Sequence, residues 1–182
     1  MANPDKVKVG AGLLYAGPIG SVEPTNLTTP WATVDPDWEP IGYTEEGHEF
    51  SSEPSFEPIE VAEEKIPIRY DKNMQEEMLS FSAAEMTVKN LTRAFNGGTV
   101  TTLSGSVVRF ERPDVDDEDI YLMLGWESND GTERWIFRKC IQVGAVAISR
   151  RKSPDKALIP MEFRLVVPAA GVLPWTSILD EA

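Results

Sequence analysis

The chain has 182 residues, is 41% hydrophobic and 26% charged, and carries a net charge of −13, a composition that fits one soluble, globular domain with its own core. No N-terminal stretch has the charged, apolar, small-residue order of a signal peptide, and no apolar run approaches the roughly 18 residues of a membrane span. The protein is therefore expected to start at or near Met1 and to work in a cytoplasm, with no membrane anchor. One cysteine, Cys140, and one histidine, His48, exclude an internal disulfide and the usual Cys/His zinc cage. Stability must then come from packing or assembly.

The charge is unevenly spread. Between Val9 and Glu64 there is no lysine or arginine, while twelve acids and seven of the fourteen prolines fall there. Residues 65 to 182 are nearly balanced, with 17 acids and 15 bases. The acidic segment reads as a long arm or loop on a balanced domain.

In chain order, strand patterns dominate. "VKVGAGLLYAG" places Val7, Val9, Ala11, Leu13 and Tyr15 on one face, and Pro18 with Gly20 ends the strand. "EKIPIRY" alternates Ile66, Ile68 and Tyr70 against Pro67 and Arg69, and its proline predicts an edge strand. "SVVRFER" and "DIYLMLGWES" follow, the second apolar on both faces as a central strand would be. "SNDG" is a hairpin signal, after which "TERWIFRKCI" returns. "VGAVAIS" and "ALIPMEFRLVV" complete seven or eight expected strands, the last alternating Ile159, Met161, Phe163, Leu165 and Val167 against Pro160, Glu162 and Arg164. Residues 168–182 are expected to form a C-terminal arm.

One segment argues for helix. In "SAAEMTVKNLTRAFNGG" Ser82 and Glu85 have capping-box spacing, Ala84, Val88, Leu91 and Phe95 form a stripe, and Gly97 supplies a left-handed stop. The expectation is a helix from Ala84 to Phe95 whose Val88, Leu91 and Phe95 face a core. The fold class is thus mainly β, a sandwich or barrel with one flanking helix, and no internal repeat indicates a solenoid.

No catalytic constellation emerges. His48 with Glu46 or Glu49 lacks the third ligand and rigid setting of a catalytic metal site, and no G-x-S-x-G elbow accompanies it for a triad. "PDVDDEDI" has neither glycine nor bidentate glutamate at the EF-hand spacings, so it reads as an acidic turn. "GAG" at 10–12 is followed by no lysine, and Pro18 forbids the helix that a phosphate loop opens. "SRRKSPDK" gathers Arg150, Arg151, Lys152 and Lys156, but in so acidic a chain it is better matched to acids of another subunit than to DNA. The chain is not expected to be an enzyme, and no cofactor or metal is expected.

Three stretches carry a family resemblance: "KVKVGAGLLYAGPIGS", "DWEPIGYTEEGHEFS" and "EEMLSFSAAEMTVKNLTRAFNGG". Over roughly residues 6 to 100 the chain resembles the major tail tube proteins of long-tailed bacteriophages, especially those infecting actinobacteria. The resemblance implies a β-sandwich with one helix, hexameric rings stacked around a channel for DNA, and long loops and terminal arms joining the rings. It implies a virion protein assembled in the host cytoplasm, with tape-measure and tail-tip or terminator proteins as partners. DNA would pass without specific binding, because cations are what generate phosphate affinity. On this reading residues 43–64 match the family's long inter-subunit loop, and Trp38, Tyr43, Phe50 and Phe56 anchor it against a neighbour. Glu45, Glu46, Arg150, Arg151, Lys152 and Trp175 complete the expected assembly interface. Two other readings stay open: a related ring or tube protein, such as a secretion-system tube or a tail terminator, and an acidic β-sandwich binding module or hydrolase.

Overall fold

A computed structural model describes residues 10–150, 152 and 155–180. Val7, Val9 and Arg151 lie outside the described residues. Ten strands and two short helices are found among them: β1 (Gly12–Pro18), α1 (Trp31–Val34), β2 (Glu39–Gly42), β3 (Thr44–Ile59), β4 (Arg69–Ala83), α2 (Val88–Ala94), β5 (Thr99–Ser104), β6 (Val107–Glu111), β7 (Leu122–Ser128), β8 (Glu133–Gln142), β9 (Ile159–Leu165) and β10 (Trp175–Leu179). Eight strands share one antiparallel sheet with ladder order β2-β1-β7-β8-β9-β4-β3, and β10 pairs the first half of β8; β5 and β6 form a separate two-stranded ribbon.

The two ends of that order are covalently joined. β2 pairs β1 and β3 pairs β4, yet only Tyr43 separates β2 from β3, so the chain steps from one sheet edge to the other and wraps the sheet around its core. Gly42 makes the corner at φ +94°, where any Cβ would strike the Glu85 carboxylate. That carboxylate accepts the Tyr43 N–H at 3.1 Å, and the Ala84 N–H donates to the Tyr43 carbonyl at 2.7 Å.

β7 lies between β1 and β8, central as its two-faced apolar sequence requires. Its inner face, with β1, β4, β8 and β9, contributes Leu14, Leu79, Leu124, Phe137, Ile159 and Phe163 to the main core. On β1 the inward residues are Leu14 and Ala16, while Leu13 of the expected stripe is exposed. The outer face of β7 and β8 forms a second cluster of Trp31, Trp38, Met123 and Ile136 beneath the segment before β2. Gly125 makes room for it, since a Cβ there would stand 2.3 Å from the Trp31 ring. In the register, Leu122 faces Cys140 and Leu124 faces Phe137, so β8 holds one extra residue there and both Phe137 and Cys140 turn inward.

Three expectations need correction. The helix spans Val88–Ala94, shorter than Ala84–Phe95, and its N-cap is Thr87, whose Oγ1 accepts the Asn90 N–H. Ser82 and Ala83 belong to β4, because ladders to β3 and β9 hold them and override the local capping signal. The helix buries Asn90 and Ala94; Leu91 and Phe95 are half-buried against the core, and Val88 lines a surface groove. "VGAVAIS" forms no strand. The Gln142 side chain bonds both backbone groups of Gly144 and the Glu162 N–H, turning the chain out of the ladder, although Val146 and Ile148 still pack on the core. Residues 168–182 include β10, which pairs β8.

Candidate assembly surface

The acidic segment is not a loop. "TEEGHEFSSEPSFEPI" is β3, a sixteen-residue strand paired along its length with β4, and the expected edge strand "EKIPIRY" is instead mostly the turn of that hairpin. Proline still marks the edge, on the other strand. Pro54 and Pro58 stand in β3, the outermost strand of the order, where residues without an N–H are tolerated because one edge makes no ladder.

The hairpin divides in two. In its proximal half Phe50 packs among Trp135, Phe137 and Trp175 with ring centroids 5.2–5.6 Å apart. Trp175 Nε1 donates to the buried Glu77 at 3.0 Å, and Gln75 Nε2 donates to the same carboxylate at 2.8 Å. In the distal half every residue of Glu53–Pro58 and Arg69–Glu76 is exposed. From Ser52 to Ile59 this limb extends about 25 Å at strand rise.

Register assigns its two faces. Pro54, Phe56 and Pro58 share one face with Lys72 and Tyr70; Phe56 is 55% and Tyr70 63% exposed. The other face sets Glu53 opposite Glu76 and Glu57 opposite Asp71, like charges directly across a ladder, which destabilise a free hairpin. Arg164 lies 3.5 Å from Glu76 and Arg69 3.0 Å from Asp71, both exposed pairs of small worth. Residues 52–76 hold seven acids against three bases.

The other expected interface residues separate. Tyr43 is 76% exposed at the corner, and Glu45 and Glu46 are exposed beside it, Glu45 pairing with Lys156 of the same chain. Arg150 and Lys152 are exposed. Trp38 is spent inside the subunit: it is 2% exposed and its Nε1 donates to the Val22 carbonyl at 2.8 Å. Phe50 and Trp175 likewise anchor the hairpin to its own body.

His48 is half-buried with its ring 4.8 Å from Trp126, and burial pushes its pKa down, opposed by nearby Glu133. It borders an open groove of about 680 Å³ with Glu45, Glu46, Glu49 and Glu162. Among the described residues no three His, Cys, Asp or Glu side chains come together as a metal-holding group. "PDVDDEDI" closes on itself, Asp117 accepting the Asp114 N–H at 2.8 Å. Burial pushes the Cys140 thiol up, which makes it a poor nucleophile.

Sequence reasoning missed a buried polar strap. Arg134 donates to the carbonyls of Asn26 and Thr29 at 2.8 Å each and to Glu127 at 3.1 Å, while Trp31 Nε1 donates to Glu127 at 2.6 Å. The guanidinium also sits 5.5 Å from the Trp31 ring centroid. Arg138 adds a two-armed bond to Glu23 at 2.6 and 2.8 Å. These contacts tie residues 23–31 to β7 and β8. The alternation in "TERWIFRKCI", with arginines at 134 and 138 beside inward aromatics, is the only trace of them in the sequence.

Sequence analysis also missed β5. β5 and β6 stand away from the main sheet, with Leu103 58% and Val107 57% exposed, and are rooted by Phe110 against Phe95 at 6.0 Å. The described surfaces are strand edges, exposed apolar strips and opposed charges, the features of an all-β assembly subunit. The chain belongs to the phage tail tube protein family, whose sequence profile matches residues 1–170. It is thus a structural component of a virion tail, in a family that works as an oligomer with other tail components. A search of curated proteins finds no match.

Proposed function

We propose that the chain is the tube subunit of a long-tailed phage, forming hexameric rings that stack into the DNA-ejection channel, assembled in the host cytoplasm with tape-measure and terminator proteins, and without catalytic activity. One observation carries the stacking: the limb, with its surplus of acids, leaves toward one end of the subunit, and the connection that holds Arg150 and Lys152 lies toward the other. Pairing of β8 with β9 and of β9 with β4 sets Gln142, Ile159 and Ala83 toward one end, where the 143–158 connection with Arg150 and Lys152 also begins and ends. β4 then runs from Ala83 toward Arg69, so the acidic limb leaves in the opposite direction.

Such a subunit is built for head-to-tail contact, which generates rings or filaments rather than a closed dimer. The limb's glutamates would meet the Arg150–Lys152 loop of the next copy. Each exposed pair contributes only about 0–1 kcal/mol, but repetition around and between rings multiplies it. A net charge of −13 keeps phosphate affinity low, so DNA can slide. Negative-stain microscopy of the purified chain at rising concentration tests the reading. Long tubes of constant diameter, with sixfold symmetry in end views, are expected; a monodisperse monomer at every concentration would refute it.

A further inference from the structure

The β5–β6 ribbon forms a sheet of its own, apart from the main sheet of its subunit. A two-stranded ribbon is marginal in water by itself, and this one leaves Leu103 and Val107 exposed at its far end. Its inner face is served by the chain itself: Phe110 meets Phe95, and Val100 borders a groove with Pro18 and Leu122. Those neighbours also fix where the ribbon stands. Pro18 pairs with Leu122, and Leu122 with Cys140, close to Gln142 in the register, so the ribbon is rooted toward the end that carries Arg150 and Lys152. The limb departs from the other end.

We infer that the outer tip of the β5–β6 ribbon, around Leu103 and Val107, is the apolar seat for the β3–β4 limb of a second copy, receiving the face that carries Phe56 and Tyr70. The occupant follows from complementarity on the page. The limb offers an apolar strip flanked by a surplus of acids, while the receiving end offers an apolar tip together with the exposed Arg150 and Lys152, Arg109 being paired with Glu111 on β6. The acidic turn 114–119 begins three residues past the end of β6, at the ribbon's root, so its charge repels the limb there and favours the tip. Geometry forbids the same contact within one copy. Burying both strips would also stabilise two hairpins that are each marginal alone.

The inference rests on the proposed tube, and the experiment separates the two. Tyr70→Cys protein is mixed with Val107→Cys protein, assembled, and oxidised with diamide, which takes up the two electrons and two protons released as the S–S bond forms. Native Cys140 is fully buried and stays silent. A disulfide-linked dimer is expected from the mixture and from neither variant alone. Tubes in which only the Tyr70→Cys protein cross-links to itself, or in which the mixture gives no dimer, would overturn the seat and leave the tube intact. Absence of any assembly by the unsubstituted chain would instead overturn the tube and the seat with it. Should a cysteine variant fail to assemble, hydrogen exchange on the unsubstituted protein decides: amides of 99–111 and 52–76 must both gain protection on assembly, and unchanged exchange in 99–111 sinks the proposal.

Discussion

The two halves of the β3–β4 hairpin share one ladder and one pair of strands, yet differ in what holds them. The proximal half has a ring cluster, a buried glutamate with two donors, and β9 as a further partner. The distal half has backbone pairing, exposed rings, and like charges facing across the strands. Backbone hydrogen bonds are the same kind in both. The contrast shows that a ladder alone does not decide stability; the apolar area behind it does.

The largest effect should come from cutting at that boundary. Replacing residues 52–76 with a short turn spares Phe50 and Glu77, and should leave a folded β domain by circular dichroism while abolishing long tubes in electron micrographs. Normal tubes from this variant would show the limb to be idle. A deletion of 43–64 is the wrong cut, because it removes Phe50 and the corner at Tyr43 along with the limb.

Within the body, Phe137→Ala should cost about 3–5 kcal/mol in denaturant unfolding, whereas Phe56→Ala on the limb should fall within about 0.5 kcal/mol for the dispersed subunit. Equal costs would erase the distinction between the halves. Arg134→Ala should approach the body value, about 3–5 kcal/mol, by leaving Glu127 and two loop carbonyls without their buried donor. Leu91→Ala, on the half-buried side of α2, should cost less than Phe137→Ala, about 1–2 kcal/mol. An unchanged melting temperature would mean that the helix is not packed as described.

The smallest effect concerns His48. Burial holds its folded pKa below the ordinary 6.5, so the unfolded chain binds more protons as pH falls. Its contribution to stability is therefore complete above about pH 6.5 and declines as the pH drops toward the depressed value. Between pH 7.5 and 5.5 the protein should lose slightly more melting temperature than a His48→Phe variant. Identical losses would show the ring to be solvated.

The sequence by itself was enough for the β class, the central two-faced strand, the 128–133 hairpin and the inward alternation of Ile159, Met161 and Phe163. In each of those the side-chain period is set by a buried face that runs the length of the strand. It set the cation-free stretch apart as an arm, but Leu14, Ala16, Trp31, Trp38 and Ile41 of that stretch fill the core, and only the part from about Ser52 on stands off it. It could not tell that this part is a strand, because in "FSSEPSFEPIE" the polar and proline residues that read as loop are what an unburied edge carries. Nor could it tell that Trp38 turns inward, or that Ser82 belongs to a ladder rather than a cap. Those outcomes depend on partners distant in sequence: Val22 for Trp38, Pro160 of β9 for Ser82, Asn26 and Thr29 for Arg134. Local patterns record which face a residue prefers. Only the wrapped sheet, which brings such partners together, decides which residue fills the core and which is left for a neighbour.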